Sequence, residues 1–322
     1  MKNKFRKAYS MIEMSLLILI MGILFAGAYQ GFNIYYETHL SGARTITQNA
    51  IISRIGNLAF WYETTFEKDE NQNGKPILMW LDRNNQQLIK NNAYPSQNSD
   101  NTKFNYEPNN FTNNGGPLFV LKGINGLPSL NFKNTSSSSR FLAIDPNLKF
   151  GKDDITIFAV VKFKNFDNNA VIFDRVCLKN SGSATSDINS SINYCKPYIS
   201  AKINVLGYPN LYIQNNDGTA LKSTANTSFA LKKDVPYILT FRRLYNQSIS
   251  IFINGKLASM AVENLGSIDF LPIKIGRNAT DQNVNSEFDL SEFLMIYGKL
   301  RDNDKTEIEN YLVKKYSIKL ER

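Results

Sequence analysis

The stretch S-I-S-I-F-I-N-G-K-L-A-S-M-A-V, residues 248–262, predicts the fold class of the larger part of the chain. Two short apolar runs flank Asn254-Gly255. Asn and Gly both tolerate the positive φ angles that a type I′ turn requires, so this pair between two such runs is a strong signal of a β-hairpin. Asp217-Gly218 repeats the signal after the run N-L-Y-I-Q-N-N.

Similar short apolar runs, separated by Asn, Gly, Asp and Ser, continue on both sides of this hairpin. Many short strands at regular spacing are typical of an antiparallel sandwich or jelly roll. Near the C-terminus, Ile308, Leu312 and Tyr316 recur four residues apart, which predicts a short helix over Asp302–Tyr316, laid on the sandwich. We therefore expect a mostly β fold, an antiparallel jelly-roll sandwich with a short C-terminal helix. The runs predicted as strands are Ile77–Leu81, Pro117–Leu121, Ser129–Phe132, Ile155–Phe163, Ala170–Phe173, Leu211–Ile213, Tyr237–Arg242, Ser248–Ile253 and Phe270–Ile275.

Several segments, in this order, resemble the bacterial laminin-G-like, concanavalin-A-like sandwich family. By fold-level analogy, the resemblance implies a domain that binds glycans or proteins. The matching segments are M-W-L-D at Met79–Asp82, N-G-L-P-S-L-N-F at Asn125–Phe132, I-T-I-F-A-V-V-K-F at Ile155–Phe163, F-I-N-G-K at Phe252–Lys256, and the closing run from Ile273 to Ile318.

The N-terminal segment has a different residue composition. Residues 1–8, M-K-N-K-F-R-K-A, are short and basic, and residues 9–29 are apolar apart from two Ser and Glu13. About 20 such residues span a bilayer as a helix, and the basic residues before the span place the N-terminus in the cytoplasm. A secretory signal places its cleavage site after the apolar run. Here the small residue Ala8 precedes that run, so cleavage after it would leave the helix on the mature chain.

Glu13 is the informative residue of the span. An ionised carboxylate in an apolar segment is costly, so it normally has a partner or a function. A cut between Ala8 and Tyr9 would create an α-amino group one helical turn from Glu13. That amine could neutralise the carboxylate within one helix or between staggered helices. The alternative is a plain signal anchor whose Glu13 lies near the membrane interface.

The run Ala8-Tyr9-Ser10-Met11-Ile12-Glu13, followed by a long apolar segment, resembles the class III signal of type IV pilins and pseudopilins. The resemblance implies cleavage before Tyr9 by a prepilin peptidase, which also methylates the new amine, and a role for Glu13 in registering one subunit against the next. Ala8 replaces the family's usual Gly, and Tyr9 replaces the usual Phe. The implied partners are the peptidase and other pilin-like subunits. The implied location is the bacterial inner membrane, with the C-terminal domain in the periplasm or in a pilus after assembly.

Apolar positions continue at spacings of three or four from Tyr36 to Tyr62, which predicts that the helix extends to about Phe66. The predicted organisation is a cleaved leader at 1–8, a helix at 9–66 with its span at about 9–29, a polar linker at 67–76 and a sandwich at 77–322.

Cofactor and nucleic-acid binding have little support. Cys177 and Cys195 flank a Ser/Asn-rich segment, and an isolated pair in an exported domain usually forms a disulfide; the alternative is two unpaired, buried cysteines. With one His, His39, the chain has too few ligands for zinc. Asp145 or Asp174 offers oxygen ligands for Ca²⁺, but no EF-hand-like spacing supports a site. Four basic residues of the formal +9 charge lie in the leader, and the remaining Lys and Arg are scattered, so a nucleic-acid footprint is not supported.

One string suggests catalysis. Glu287, Asp289 and Glu292 fit E-x-D-x-x-E, the carboxylate signature of laminarinase-type glycosidases. Retaining glycosidases need two carboxyl groups about 5–5.5 Å apart. On a strand, Glu287 and Asp289 share a face, and Glu292 joins them only through a bulge. The structural alternative is a surface turn ending in a strand. The leading prediction is a non-enzymatic pilin-like subunit with a binding domain; the rivals are a membrane-tethered glycoside hydrolase and a tethered module that never polymerises.

Overall fold

The computed structural model describes residues 10–67, 72–95, 116–135, 140–144, 154–167, 169–175, 198–215, 217–266, 268, 273–276 and 285–320. The chain divides into two compact units, Met1–Gly42 and Ala43–Arg322. Cys177, Cys195 and Asp145 lie outside the described residues, as do Ala8 and Tyr9.

The N-terminal helix is shorter than its periodicity predicts. Helix α1 covers Met11–Gln48, a 3-10 turn follows at Ile51–Arg54, and strand β1 occupies Leu58–Glu63. The prediction of a helix to about Phe66 is therefore wrong. The sequence L-A-F-W-Y-E is rich in aromatic residues, which favour strands, and all six side chains are buried. Pairing with a distant strand overrides the helical spacing.

Most of the second unit is β structure. Among the described residues, the strands form one eight-stranded and one seven-stranded antiparallel sheet, which confirms the predicted mostly β class. Besides β1, the strands are β2 (Ala93–Tyr94), β3 (Leu118–Ile124), β4 (Leu127–Asn134), β5 (Leu142–Ile144), β6 (Ile155–Asn165), β7 (Ala170–Arg175), β8 (Tyr198–Ile203), β9 (Pro209–Gln214), β10 (Ala220–Thr224), β11 (Pro236–Leu244), β12 (Ser248–Ile253), β13 (Lys256–Val262), β14 (Ile273–Ile275) and β15 (Ser286–Tyr297).

The larger sheet has the order β13-β12-β11-β6-β15-β4-β3, with β1 also on β15, and the smaller has the order β10-β9-β8-β7-β14-β5-β2. Strand β15 is long enough to have two partners on one side. Its first half pairs with β4, and its second half pairs with β1. One buried core, which includes Phe60, Phe132, Phe173 and Phe293, draws side chains from both sheets.

The turn chemistry predicted the hairpins. Asn254 and Gly255 have φ values of 48° and 82°, and they join β12 to β13, which pair antiparallel. The turn that contains Asp217-Gly218 joins β9 to β10. The strand predicted at Ile77–Leu81 is wrong, since the structure gives this segment only an isolated bridge between Trp80 and Ala93. The remaining predicted runs all overlap strands of the structure.

Helix α2 covers Asp302–Tyr316, as predicted, and buries Ile308, Leu312 and Tyr316. It lies on the outer face of the larger sheet, because it contacts the β11 side chains that alternate with the core residues. Thr240 Oγ1 donates to Glu309 Oε1 at 3.0 Å, and Arg242 forms an ion pair with Asp302.

Candidate functional site

The start of helix α1 has a local cap. The backbone N–H of Ser10 donates to Glu13 Oε2 at 2.8 Å, and the N–H of Ile12 donates to Ser10 Oγ at 3.3 Å. This reciprocal pattern is a variant of the capping box in which the Ser10 hydroxyl accepts from the second helical N–H instead of the third, and it satisfies N–H groups that have no partner inside the helix. Its sequence signature, Ser-x-x-Glu, is legible at Ser10–Glu13, but the sequence prediction gave Glu13 only an amine partner.

The apolar part of α1 is uncovered in the structure. Large apolar side chains are exposed all along the segment from Met11 to Tyr35. This helix is long and apolar enough to cross a membrane, and none of its most apolar window is buried. Glu13 is the only charged residue between Ser10 and Tyr36. The segment therefore has the composition and exposure of a single membrane anchor.

The E-x-D-x-x-E string lies on β15. Glu287 and Asp289 project from the outer face, because the residues between and beyond them, Phe288 and Leu290, belong to the core. Asn131 Nδ2 donates to Asp289 Oδ1 at 2.8 Å and to Glu287 Oε1 at 3.2 Å.

Lysines compensate the charge of these two carboxylates. Lys164 Nζ lies 3.1 Å from Asp289 Oδ1 and 3.5 Å from Glu287 Oε1. Lys162 and Lys133 add one ion pair each. Burial raises the pKa of Glu287, but hydrogen bonds from Lys133 and Asn131 lower it by more. The pKa of Glu287 is therefore lowered from its ordinary value. A lowered pKa does not suit a general acid near neutral pH.

A bulge brings Glu292 to the same face. The register of β15 against β6 shifts between Leu290 and Glu292, so Ser291 is the extra residue. The bulge is fixed by its own polar groups: Thr64 N–H donates to the Ser291 carbonyl at 3.2 Å, and Ser291 Oγ donates to the Pro128 carbonyl at 2.9 Å. Glu287, Asp289 and Glu292 therefore share one face of β15, but the surroundings of Glu292 are not those of a substrate cleft.

Glu292 belongs to a buried charge cluster, defined here as Glu63, Glu292, Lys315, Tyr311, Tyr316 and Trp61. Glu63 of β1 lies directly opposite Glu292 of β15 in the strand register. Two opposed carboxylates repel each other. Lys315 of α2 lies between them, with its Nζ 2.5 Å from Glu63 Oε1 and 2.9 Å from Glu292 Oε2. All three charged side chains are 0% exposed.

Neutral donors complete the shell of Glu292. Trp61 Nε1 donates to its Oε1 at 2.7 Å, Tyr311 OH donates to the same oxygen at 2.8 Å, and Tyr316 OH donates to Oε2 at 3.0 Å. Burial holds the pKa of both tyrosines well above the ordinary value, so their hydroxyls keep their protons. Burial also raises the pKa of Glu292, although Lys315 opposes the rise. Both oxygens already accept hydrogen bonds, so the cluster joins β1, β15 and α2 instead of offering a nucleophile.

Lys315 and Glu63 were not among the predicted site residues. A usable signal existed for Lys315, because Ile308, Tyr311, Leu312 and Lys315 follow the i, i+3, i+4, i+7 spacing of a buried helix face. A lysine on such a face predicts a buried acidic partner. Asp174, a candidate Ca²⁺ ligand, is buried with its Oδ2 3.8 Å from Lys202 Nζ. No group of three or more potential metal ligands occurs among the described residues.

An open groove lies beside the buried cluster. One wall is the end of α1 and the 3-10 turn, with Ile46, Ala50 and Ile51; the other wall is α2, with Glu307, Tyr311 and Lys314. Its volume is about 390 Å³. The floor is largely apolar, and the two charged side chains, of opposite sign, lie on the α2 wall.

No family model and no curated protein matches the chain. Solved structures do match, with a TM-score of 0.50 and 12% identity in each of three cases. The binding domain of Paraclostridial Mosquitocidal Protein 1 is matched over 79% of this chain and 52% of that one. For the botulinum neurotoxin serotype D binding domain the shares are 82% and 53%, and for the serotype G binding domain they are 80% and 51%. The chain spans about half the length of these structures, and at this identity the similarity concerns the fold alone.

Proposed function

We propose that this chain is a pilin-like or pseudopilin-like single-pass subunit that displays a laminin-G-like sandwich for adhesion or ligand binding. The observation that carries the proposal is the uncovered apolar helix with a single carboxylate, Glu13, in its first turn. A plain anchor can use this carboxylate only to cap its own helix start, whereas subunits that pack side by side can also pair it with a neighbour's N-terminal amine.

Processing is tested by intact-mass analysis of the full chain, purified from a bacterial host that has a prepilin peptidase. We expect the mature chain to begin at Tyr9 and to carry one extra methyl group. Ala8→Arg, which replaces the small residue before the cut, should leave the leader in place. A chain that begins at Met1, or beyond residue 30, would refute the pilin-like assignment.

The assembly role of Glu13 can be separated from its capping role. In Glu13→Gln, the amide oxygen can still accept from Ser10 N–H, so the capping box remains, but the charge that pairs with an amine is lost. We expect this variant to be cleaved normally and to lose cross-linking to neighbouring subunits in the membrane. Equal cross-linking in both proteins would show that Glu13 acts only as a cap.

Ligand binding by the sandwich is supported by fold similarity to the binding domains of Paraclostridial Mosquitocidal Protein 1 and of botulinum neurotoxin serotypes D and G. The partner class we propose is a glycan or a protein on another surface. Full-length protein in detergent, applied to a glycan array and to intact cells, tests this. Absence of binding to both, with correct folding, would leave the sandwich without the proposed role.

A further inference from the structure

The buried charge cluster holds an amine and a carboxyl group in direct contact. Lys315 Nζ lies 2.5 Å from Glu63 Oε1, and both side chains are fully buried. Charges are costly where water is excluded, and an ion pair offsets only part of that cost. The ordinary interpretation of this contact is a buried ion pair. The chemical alternative is condensation to an amide, which carries no charge.

The carboxyl group of Glu63 is arranged as an electrophile. Thr65 N–H donates to its Oε1 at 2.8 Å, and Phe66 N–H donates to its Oε2 at 3.3 Å. Backbone donors aimed at a carboxyl oxygen stabilise the negative charge that develops there when a nucleophile adds to the carbon. A nitrogen 2.5 Å from Oε1 needs only a small shift to approach the carboxyl carbon, since reacting atoms about 3–3.5 Å apart are already placed for attack.

Glu292 is placed to move protons during such a reaction. Its Oε2 lies 2.9 Å from Lys315 Nζ. Burial raises the pKa of Glu292, which suits a carboxyl group that accepts and releases a proton near neutral pH. Hydrogen bonds from Trp61, Tyr311 and Tyr316 hold both of its oxygens in place. Glu292 is therefore a proton carrier and not a nucleophile, and the nucleophile is the lysine amine.

We propose that Lys315 and Glu63 condense to an intramolecular amide bond, with Glu292 as the general base. The new bond joins Lys315 Nζ to Glu63 Cδ, and the bond between Cδ and Oε2 breaks. Glu292 carries the two protons that the ammonium loses to the departing oxygen, which leaves as water. The charges of the carboxylate and the ammonium cancel in the product, and the reaction consumes no oxidant or cofactor. Oε1, which accepts from Thr65 N–H, becomes the amide oxygen, and the ion-paired contact is the state before the reaction.

Folding supplies the activation. The amine, the electrophile and the base come from α2, β1 and β15, so the three groups meet only in the folded chain. Fixing reacting groups in this way is equivalent to a very high effective concentration. The product closes a loop between residues 252 positions apart, which restricts the unfolded chain as a disulfide does. The bond requires neither a membrane nor leader cleavage, so it is independent of the proposed pilin-like role.

Mass spectrometry of the folded full-length chain tests the bond directly. We expect the chain to be lighter than its sequence by the mass of one water molecule, apart from any change at the N-terminus, which lies in a separate peptide. After digestion with trypsin, residues 55–68 should be joined to residues 315–319, because trypsin does not cleave after an acylated lysine. A chain without this mass deficit, or with Lys315 recovered as a free amine, would show an ion pair only and would overturn the proposal.

A matched pair of lysine variants locates the nucleophile. Lys315→Arg keeps a positive charge but lacks the amine, so it should have the full mass of its sequence. Lys314→Arg is the control, because Lys314 is adjacent and exposed, and it should keep the deficit of one water molecule. A deficit that persists in Lys315→Arg would overturn the proposal.

Two further variants assign the other roles. Glu63→Gln should lose ammonia instead of water, because the leaving group is then the amide nitrogen; loss of water by this variant would exclude Glu63 as the partner. Glu292→Gln, shown by circular dichroism to be folded, should leave Lys315 unmodified. A cross-link that forms as fast in Glu292→Gln as in wild type would overturn the role of Glu292 as the base.

Discussion

Replacing Lys315 with Met removes the only cation that contacts the Glu63–Glu292 pair among the described residues. Its ammonium lies 2.5 Å from Glu63 Oε1 and 2.9 Å from Glu292 Oε2, and all three side chains are fully buried. Breaking a buried ion pair by removing one partner costs about 3–5 kcal/mol. We expect a loss of this size in the free energy of unfolding, which for a domain this large lowers Tm by about 6–20 °C.

The cluster contains its own optical probe. Trp61 donates to Glu292, and the chain has only two Trp, so tryptophan fluorescence of the full chain in detergent reports unfolding near the site. Lys314→Met is the matched control, because Lys314 is adjacent in sequence and exposed. It should change Tm by no more than about 2 °C.

Two results would refute the reasoning. One is that Lys315→Met lowers the free energy of unfolding by less than about 1 kcal/mol, the magnitude typical of an exposed ion pair. The other concerns rescue: adding Glu63→Gln to Lys315→Met removes one of the two uncompensated carboxylates and should recover part of the lost stability. If this double variant is less stable than Lys315→Met, repulsion between the carboxylates is not the cause.

Three further outcomes are expected. Because burial raises the folded pKa of Glu292 above its ordinary value of 4.5, the resulting stability is fully present below about pH 4.5 and is lost as pH rises through the folded pKa; denaturant titrations should therefore show wild type losing stability relative to Glu292→Gln as pH rises above 4.5, and a constant difference would contradict this. Gly276 has φ +90° and a Cβ there would lie 2.3 Å from Phe132 Cδ1, so Gly276→Ala should lower the free energy of unfolding by about 2–4 kcal/mol, against about 1 kcal/mol for Gly266→Ala, which has φ +73° and open space around it; equal losses would mean that the contact with Phe132 is relieved without cost. A reducing-sugar assay on β-glucan should give no product with wild type or Glu287→Gln, and hydrolysis by wild type that the substitution abolishes would establish the glycosidase alternative.

Local chemistry made part of this fold predictable. Asn254-Gly255 specifies its turn through the φ preferences of two adjacent residues, and the spacing of four between apolar residues predicts α2. Strand β1 was not predictable in this way. Its aromatic residues satisfy a helical spacing as well as a strand, and the choice depends on β15, whose Glu292 is 231 residues from Trp61 in sequence.

The candidate site was likewise predictable from local sequence only in part. The spacing of the string puts Glu292 on the face of Glu287 and Asp289 only if a bulge occurs; the bulge itself is fixed by contacts with residues distant in sequence, and the burial of Glu292 depends on α2. Glu63 looks like an ordinary surface charge until two strands and a helix come together, whereas the helical spacing around Lys315 carried a signal of burial. The sequence supports two interpretations of Glu13, as an intramembrane carboxylate and as the last residue of a Ser-x-x-Glu cap.

The bond between Lys315 and Glu63 joins residues 252 positions apart, nearly the whole length of the sandwich unit. During synthesis, β1 emerges long before α2. Until α2 arrives, Glu63 and Glu292 have no cation between them, and the outer face of the larger sheet lacks its cover. We therefore expect the sandwich to close only after α2 has been synthesised, and a product that stops before α2 to be cleared by proteases. Helix α2 thus acts as a check that all the strands before it have been made.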